Sequence, residues 1–205
     1  MVRLLLIAAG ATAGTWALTF GDTGDLVHPE RVEPFTGRVT GWFCGPEPSC
    51  RQTARLLGGA PTVPGAAVSH ADPTEPDAEP TARALEPTVL DGLRGPDFSR
   101  WAGRELAEVG QSEPEGLNRW LSDPAAAPHG GESLADLVRR VGALCDGQDW
   151  PQGRSALVVT SLVARAAAVH ALGVGPAAIF RLDLAPLSRV GVSGQAGSWR
   201  LQQLG

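Results

Sequence analysis

The strongest constraint on the fold is a set of short, continuously apolar segments. They lie at Arg3–Ile7, Pro87–Leu90, Ala156–Thr160 and Ala177–Asp183. A continuous apolar run of this length is typical of a strand that is buried on both faces of a sheet. Such strands occur in parallel sheets that helices cover on both sides. The sequence therefore predicts a mostly parallel sheet with a layer of helices on each face.

Helical patterns separate these strands. They are predicted at Gln52–Leu57, Trp101–Val109, Pro114–Ser122, Ser133–Cys145 and Val163–Leu172. The fourth is the clearest, because its apolar residues recur at helical spacing and Ser133 can cap its first turn. Gly173 is expected to end the last helix, and Ser188–Leu204 is expected to form a hairpin. This alternation predicts a three-layer α/β fold, built as a single domain over residues 1–205.

One segment interrupts this pattern. Residues 58–83 are rich in Pro, Ala, Gly, Asp and Glu and contain almost no large apolar side chain. That composition predicts a long flexible insertion within the domain. Two interpretations remain open for it, a solvated loop and a lid that covers a binding site.

Composition excludes several kinds of chemistry. All 17 basic residues are arginine, and the chain contains neither lysine nor tyrosine. A lysine Schiff base, a phosphate-loop lysine and a tyrosine acid or base are therefore ruled out. The net charge of -5 provides no basic surface for nucleic acid or for an anionic membrane. The sequence contains no run of 18 apolar residues, so a membrane-spanning helix is not expected either.

The cysteines exclude further kinds of structural site. Cys44, Cys50 and Cys145 are odd in number and have no Cys-x-x-Cys spacing. We therefore expect neither a disulfide framework nor a zinc site, and nothing in the sequence indicates another metal or a cofactor. Reduced thiols favour a cytoplasmic location.

Five motifs follow one another along the chain. They are LLLIAAGAT, CGPEPSCRQTA, LRGPDFSRWAG, PHGGESLADLVRRV and ALVVTSLVARAAAVHAL. Their order and spacing resemble the histidine phosphatase superfamily, whose members share the phosphoglycerate-mutase-like fold. In that family the first strand ends in Arg-His-Gly-x-Thr, and a later strand ends in Val-Thr-His before a helix. The resemblance covers nearly the whole chain and implies the same three-layer α/β architecture.

The resemblance also implies where the family's chemistry is placed. In the family, a histidine of the first loop attacks phosphorus, while two arginines and a second histidine hold the phosphoryl oxygens. A carboxylate protonates the leaving group. Carried over residue by residue, the nucleophilic histidine falls at Ala9 and the arginine before it at Ala8. Both positions carry a methyl group instead.

The remaining positions of the family's site are uncharged as well. The second arginine falls at Ser49, the carboxylate at Gly95, and the second histidine at Ser161 or at Thr160. Loss of a nucleophile costs several orders of magnitude in rate, and the cations that face the phosphoryl group are missing too. We therefore expect no ordinary phosphatase activity.

A cleft is still expected at the carboxyl ends of the strands, where open α/β sheets bind ligands. Its predicted lining is small or neutral with added tryptophans: Ala8, Ala9, Gly10, Thr12, Trp16, Ser49, Gly95, Trp101, Thr160 and Ser161. The candidates for a catalytic role are Asp22, Asp25, Asp97 and Ser161. Core packing is the alternative for the tryptophans, and turn formation is the alternative for the first two aspartates.

Three hypotheses about function follow from this pattern. In the first, the cleft binds a neutral or hydrophobic small molecule and serves a non-phosphoryl, biosynthetic reaction. In the second, the chain is a non-catalytic interaction module, with a homodimer as its expected assembly. In the third, phosphatase action persists through displaced groups, namely Arg51 or a histidine. The first is favoured, because small residues replace every charged position while the scaffold motifs remain.

Overall fold

A six-stranded sheet organises the part of the chain that the structure, a computed structural model, describes: residues 1–21, 24–58 and 86–204. The strands are β1 Val2–Ala8, β2 Gly41–Cys44, β3 Thr88–Val89, β4 Gly153–Val159, β5 Arg189–Gln195 and β6 Ser198–Leu204. Their order across the sheet is β3-β2-β4-β1-β5-β6. The first four strands are mutually parallel, and β5 and β6 form an antiparallel hairpin at one edge. The predicted mostly parallel sheet and the predicted hairpin are confirmed.

Helices cover both faces of this sheet. They are α1 Ala13–Ala17, α2 Pro48–Leu57, α3 Leu106–Ser112, α4 Pro114–Ser122, α5 Leu134–Gly147 and α6 Ser161–Leu172. Successive side chains of β1 point to opposite faces, so Leu6 joins the core beneath α5 and α6, whereas Ile7 joins the core beneath α2. Two hydrophobic cores on one sheet make the predicted three-layer architecture. None of the helices in the described ranges is both long and apolar enough to cross a membrane.

Two helix ends form as their residues predict. Ser133 precedes α5, and its Oγ accepts a hydrogen bond from the backbone N–H of Asp136 at 3.1 Å. This bond satisfies one of the free N–H groups of the first turn. Gly173 ends α6 with a φ of 63°, a left-handed conformation that glycine adopts without a steric penalty.

Two predicted elements are wrong. The apolar run Ala177–Asp183 forms no strand; its first five residues belong to a 3₁₀ helix, Pro176–Arg181, that begins at a proline and buries Ile179 fully. A short apolar run cannot be assigned to strand or helix from periodicity alone. The helix expected over Trp101–Val109 is interrupted: a 3₁₀ turn ends at Trp101, Gly103 has a φ of 79°, and α3 begins only at Leu106.

The sequence also left one strand unpredicted. Gly41–Cys44 forms β2, which has only four residues and begins with glycine, so its pattern is weak. The insertion predicted over 58–83 lies, from residue 59 onward, outside the described residues. Its interpretation as a loop or a lid stays a prediction. The three cysteines are buried.

Candidate functional site

An open cleft of about 610 Å³ lies at the carboxyl ends of β1 and β4. The residues that follow these strands form its floor, because parallel strands end at the same edge of a sheet. Ala9 follows β1 and donates its backbone N–H to the Val159 carbonyl at 2.8 Å. Gly10 donates its N–H to Thr53 Oγ1 on α2 at 2.9 Å, and a Cβ at this position would lie only 3.0 Å from Leu26. The loop after β1 is therefore fixed in place.

Most of the residues predicted to line the cleft do lie in its wall. These are Ala9, Gly10, Thr12, Ser49, Gly95, Thr160 and Ser161. They come from the loops after β1 and β4, from the start of α2 and from the segment before Pro96. The structure thus brings together residues that are up to 152 positions apart in the chain.

Three predicted lining residues lie elsewhere, and the structure corrects their placement. Ala8 is the last residue of β1, where it is buried and pairs with Val159. Trp101 is fully buried, with its ring packed against Phe20 at 5.1 Å between centroids. Trp16 is 68% exposed on α1 and does not reach the cleft. Core packing therefore explains Trp101, as the alternative interpretation held.

Two of the candidate aspartates, Asp25 and Asp97, do not line the cleft either. Asp97 Oδ1 accepts a hydrogen bond from the Ser99 backbone N–H at 2.7 Å, which is turn formation. Asp25 is exposed outside the cleft, and Asp22 lies outside the described residues. Of the three catalytic candidates in the described ranges only Ser161 is in the wall, where its Oγ donates to the Leu184 carbonyl at 3.3 Å.

No histidine lines the cleft within the described ranges. His129 is buried against Trp101, and burial lowers its pKa. His170 lies 3.3 Å from Asp146, His28 lies 3.1 Å from Glu30, and His70 is outside the described residues.

The alternative cation considered from sequence, Arg51, is exposed on α2. It does not line the cleft. Since no described histidine is in the wall either, nothing in the described structure supports phosphatase action through these displaced groups.

Sequence reasoning missed a carboxylate in the cleft. Glu47 is the residue before α2, and its Oε1 accepts a hydrogen bond from the backbone N–H of Gly95. Gly95 is the position to which the family resemblance assigns the carboxylate, so an acid reaches this place from another element. Glu47 stands 48 positions before Gly95 in the sequence, and its place before a helix was the only signal available.

Sequence reasoning also missed an ion pair. Arg165 follows Ser161 by one turn of α6, so both lie on one face of that helix. One of its Nη atoms lies 3.5 Å from the carboxylate of Asp183, which also lines the cleft. Burial lowers the pKa of Arg165, and the nearby charge of Asp183 opposes this effect. The four-residue spacing from Ser161 is the signal that could have found Arg165.

The charged side chains of the cleft wall sum to a negative charge. Glu47 and Asp183 contribute two negative charges, and Arg165 contributes one positive charge, which leaves one negative. Within the described wall these are the only ionisable groups. A phosphoryl group needs the opposite balance, because its oxygens are stabilised by cations and N–H donors.

Four buried polar atoms of the wall have no hydrogen-bond partner among the described residues. They are Glu47 Oε2, Thr160 Oγ1, Arg165 Nε and Trp120 Nε1. Buried polar atoms in folded proteins are nearly always paired, so such atoms in a cleft are candidates for contact with a ligand. No group of three or more His, Cys, Asp or Glu side chains that could hold a metal ion occurs in the part of the chain described.

One side of the cleft is aromatic. Phe20, Phe98, Trp120 and Phe180 line it and form what we call the aromatic wall. Trp120 is central, with ring centroids 5.5 Å from Phe20, 6.1 Å from Phe98 and 5.2 Å from Phe180. These edge-to-face contacts hold a broad apolar surface beside the polar floor.

The loop that carries Gly95 is held from beneath by Arg140 of α5. Its guanidinium donates to the Gly92 carbonyl at 2.9 Å and to the Gly95 carbonyl at 3.4 Å. Glu132 accepts two further bonds from it, at 2.7 and 2.8 Å, in the forked geometry that suits arginine and carboxylate. The position of Gly95 is thereby set by a charged pair outside the cleft.

Known structures with this fold cover almost the whole chain. A mutant phosphoserine phosphatase from Entamoeba histolytica in complex with phosphoserine has a TM-score of 0.72 and is 16% identical, with coverage of 100% of this chain and 96% of that one. Mycobacterial glucosyl-3-phosphoglycerate phosphatase in complex with VO3 has a TM-score of 0.68 at 19% identity, with coverage of 98% and 96%. At such identities the likeness shows the fold, which is the predicted phosphoglycerate-mutase-like architecture.

Two further comparisons concern the sequence, one with curated relatives and one with family profiles. A bifunctional protein of Mycobacterium tuberculosis and an uncharacterized protein of Mycobacterium bovis are each 38% identical to this chain over 114 residues. The match covers 52% of this chain and 30% of each relative, so the chain spans less than a third of the length of these curated relatives. Residues 75–205 match the sequence profile of the histidine phosphatase superfamily, branch 1. Because this match covers more than half of the chain, the protein belongs to that superfamily.

Proposed function

We propose that this protein is a degenerate member of its superfamily whose cleft binds a small, largely apolar organic molecule and does not hydrolyse phosphate esters. The observation that carries the proposal is the charge of the cleft wall. Among the described residues the wall carries one cation, Arg165, which lies 3.5 Å from the carboxylate of Asp183, and the carboxylate of Glu47 is bonded to Gly95 at the floor. That arrangement repels a phosphoryl group instead of holding it.

The position of the nucleophile supports the same proposal. Ala9 stands where the resemblance assigns the attacking histidine, and no described histidine reaches the cleft. Ser49, Thr160 and Ser161 supply hydroxyl groups, but a hydroxyl needs an adjacent base to attack phosphorus. Phosphate chemistry would therefore lack both its nucleophile and its electrostatic stabilisation.

The shape of the cleft favours an apolar ligand. A volume of about 610 Å³ is in the range of sites for small organic molecules, which are lined mainly by apolar side chains with a few polar groups. The aromatic wall supplies the apolar surface, and Glu47, Thr160 and Ser161 supply the polar groups. A non-phosphoryl, biosynthetic reaction on such a molecule is part of this proposal, as is the expected cytoplasmic location.

Hydrolysis of p-nitrophenyl phosphate tests the negative half of the proposal. We expect no turnover above buffer, whereas a mycobacterial glucosyl-3-phosphoglycerate phosphatase assayed in parallel serves as the working comparison. Turnover that is well above buffer and is lost in Arg165→Ala would contradict the proposal. It would show that the paired arginine still serves phosphoryl transfer.

One observation favours a second candidate, an interaction module. Trp16 is 68% exposed and Leu18 is 64% exposed, and Leu18 belongs to the rim of the cleft together with Leu121. Exposed apolar groups of this size can mark a contact surface for another protein. Sedimentation of the protein and of Trp16→Ser tests this candidate, including the expected homodimer. A wild-type monomer at high micromolar concentration would count against the homodimer.

A further inference from the structure

We propose that the polar end of the ligand is an N–H donor, foremost a protonated amine, and that Glu47 binds it at the floor of the cleft. This inference rests on the proposed function, because it names the chemistry of the molecule that the cleft takes. The aromatic wall alone cannot orient the ligand or distinguish a positively charged ligand from a negatively charged one. A carboxylate at the floor can do both.

The carboxylate of Glu47 has unused capacity to accept hydrogen bonds. An ionised carboxylate offers about four acceptor positions. In the described structure Oε1 accepts the bond from the Gly95 N–H, whereas Oε2 is buried on the side of Gly45 and the Leu93 carbonyl and has no partner. A carboxylate at the wall of an open cleft with so few partners is suited to a donor that arrives with the ligand.

A second acceptor lies near Glu47 Oε1, on the opposite side of Gly95. Thr160 Oγ1 is buried, lines the cleft and has no hydrogen-bond partner in the described ranges. A Cβ at position 95 would lie 3.3 Å from Glu47 Oε1 and 3.5 Å from Thr160 Oγ1, so both oxygens lie around Gly95. Glycine leaves this space open. An ammonium group has three donors and can therefore serve both oxygens at once.

The electrostatics of the floor favour a cation over an anion. Glu47 faces Gly95 from the cleft, whereas Arg140 reaches the Gly95 carbonyl from outside the cleft and is paired with Glu132. The guanidinium of Arg165 lies 3.5 Å from the carboxylate of Asp183, which is exposed. A charge-assisted hydrogen bond is about twice as strong as a neutral one. A ligand carboxylate or phosphate at the floor would instead face Glu47 at short range and be repelled.

A structural role is the competing explanation for Glu47. Its bond to the Gly95 N–H could serve only to hold the loop, and glutamine would preserve that bond through its amide oxygen. Glu47→Gln therefore separates the two roles. It keeps an acceptor for Gly95 and removes the negative charge that attracts an amine.

The test uses three probes with one apolar body: 2-phenylethylamine, 2-phenylethanol and 3-phenylpropionate. Calorimetric titration at pH 7 gives their affinities for the intact protein. We expect the amine to bind about 10-fold more tightly than the alcohol, which corresponds to one charge-assisted hydrogen bond. The carboxylate is expected to bind most weakly.

Variants assign the preference to its residue. Glu47→Gln should bring the amine to within about 3-fold of the alcohol, because the amine loses more affinity than the alcohol when the negative charge is removed. Thr160→Val should reduce amine binding by a smaller factor, about 3-fold. Glu33→Gln is the matched control, because Glu33 is exposed outside the cleft, and it should leave all three affinities unchanged.

Each outcome has one meaning. If the alcohol binds as tightly as the amine, the inference about the donor is overturned and the proposed apolar cleft stands. If the amine preference survives in Glu47→Gln, the assignment to Glu47 is overturned. If none of the three probes binds, the proposed function fails together with the inference.

Discussion

Two carboxylates flank the loop that carries Gly95, and their surroundings differ. Glu132, on the side of α5, receives two hydrogen bonds from Arg140 and is mostly buried. Glu47, on the side of the cleft, receives one backbone hydrogen bond and has one oxygen without a partner in the described structure. The same chemical group is therefore satisfied on one side of a loop and left with unused capacity on the other.

We interpret this difference as a division of roles, in which Glu132 stabilises the fold and Glu47 serves the cleft. A buried charge with a forked partner contributes to holding the fold, because removal of either member leaves the other charge buried and alone. A buried carboxylate oxygen without a partner costs stability, and under the proposed function Glu47 is retained for the ligand instead. The predictions below test whether the two carboxylates divide their roles in this way.

The largest effect is expected on the scaffold side. Arg140→Ala leaves Glu132 without its partner and the Gly92 carbonyl without its donor, so we expect unfolding to become easier by about 3 kcal/mol. Urea denaturation measures this change in the free energy of unfolding. Arg139→Ala is the matched control, because Arg139 is an exposed neighbour whose pair with Asp136 should be worth less than about 1 kcal/mol. Equal effects in the two variants would refute the structural role of the Glu132–Arg140 pair.

A third carboxylate, Asp146, shows how a satisfied acid responds to pH. Burial alone would raise its pKa, but hydrogen bonds from the Gly197 N–H, Trp199 Nε1–H and His170 hold the pKa below its usual range. As the pH falls below about 4, the unfolded carboxyl takes up protons before the folded one does, so stability is lost. Asp146→Asn should destabilise the fold by about 1.5 kcal/mol at pH 6.

Melting temperatures between pH 3 and pH 7 measure that effect. The loss on acidification should be smaller in Asp146→Asn than in the wild type, because the variant no longer has the group that titrates. A variant that loses stability as steeply as the wild type would show that other carboxyl groups cause the loss of stability at low pH.

A methyl group added at Gly95 should weaken ligand binding more than it lowers the stability of the fold. In Gly95→Ala the new Cβ would lie 3.3 Å from Glu47 Oε1 and 3.4 Å from Thr160 Cγ2, which fills the floor of the cleft. We expect 2-phenylethylamine to bind about 5-fold more weakly, a change of about 1 kcal/mol. Gly110→Ala on α3 is the control, since it lies outside the cleft. Unchanged binding in Gly95→Ala would place the ligand elsewhere.

The smallest effect is expected on the stability of the cleft side. Glu47→Gln keeps an acceptor for the Gly95 N–H and should change the free energy of unfolding by less than about 0.5 kcal/mol. Urea denaturation beside Arg140→Ala makes the comparison direct. A loss above 2 kcal/mol would mean that Glu47 holds the fold as Glu132 does, and the division between the two carboxylates would fail.

The sequence predicted the parts of the molecule that depend on local pattern. The apolar runs of β1 and β4, the spacing of α5 and the cap at Ser133 each carry their own signal. The run Ala177–Asp183 carried an ambiguous one, because a short apolar segment suits a strand and a buried helical turn equally well.

The charged groups of the cleft depend on contacts that no local pattern shows. The hydrogen bond from Gly95 to Glu47 joins residues 48 positions apart, and Arg165 pairs with Asp183 on a different element. The residues assigned through the resemblance lie close together, since a shared fold brings aligned positions to one place. The resemblance could not indicate charges that the family does not use.

The central claim is that the cleft takes an apolar molecule where the resemblance assigns a phosphate site. Two-dimensional ¹H–¹⁵N NMR spectra, recorded during separate titrations with 2-phenylethanol and with inorganic phosphate, test it most directly. We predict that 2-phenylethanol shifts the backbone amide signals of Gly10, Gly95 and Ser161, and that phosphate at the same concentration does not. Shifts of these signals by phosphate, with none caused by the alcohol, would contradict the account.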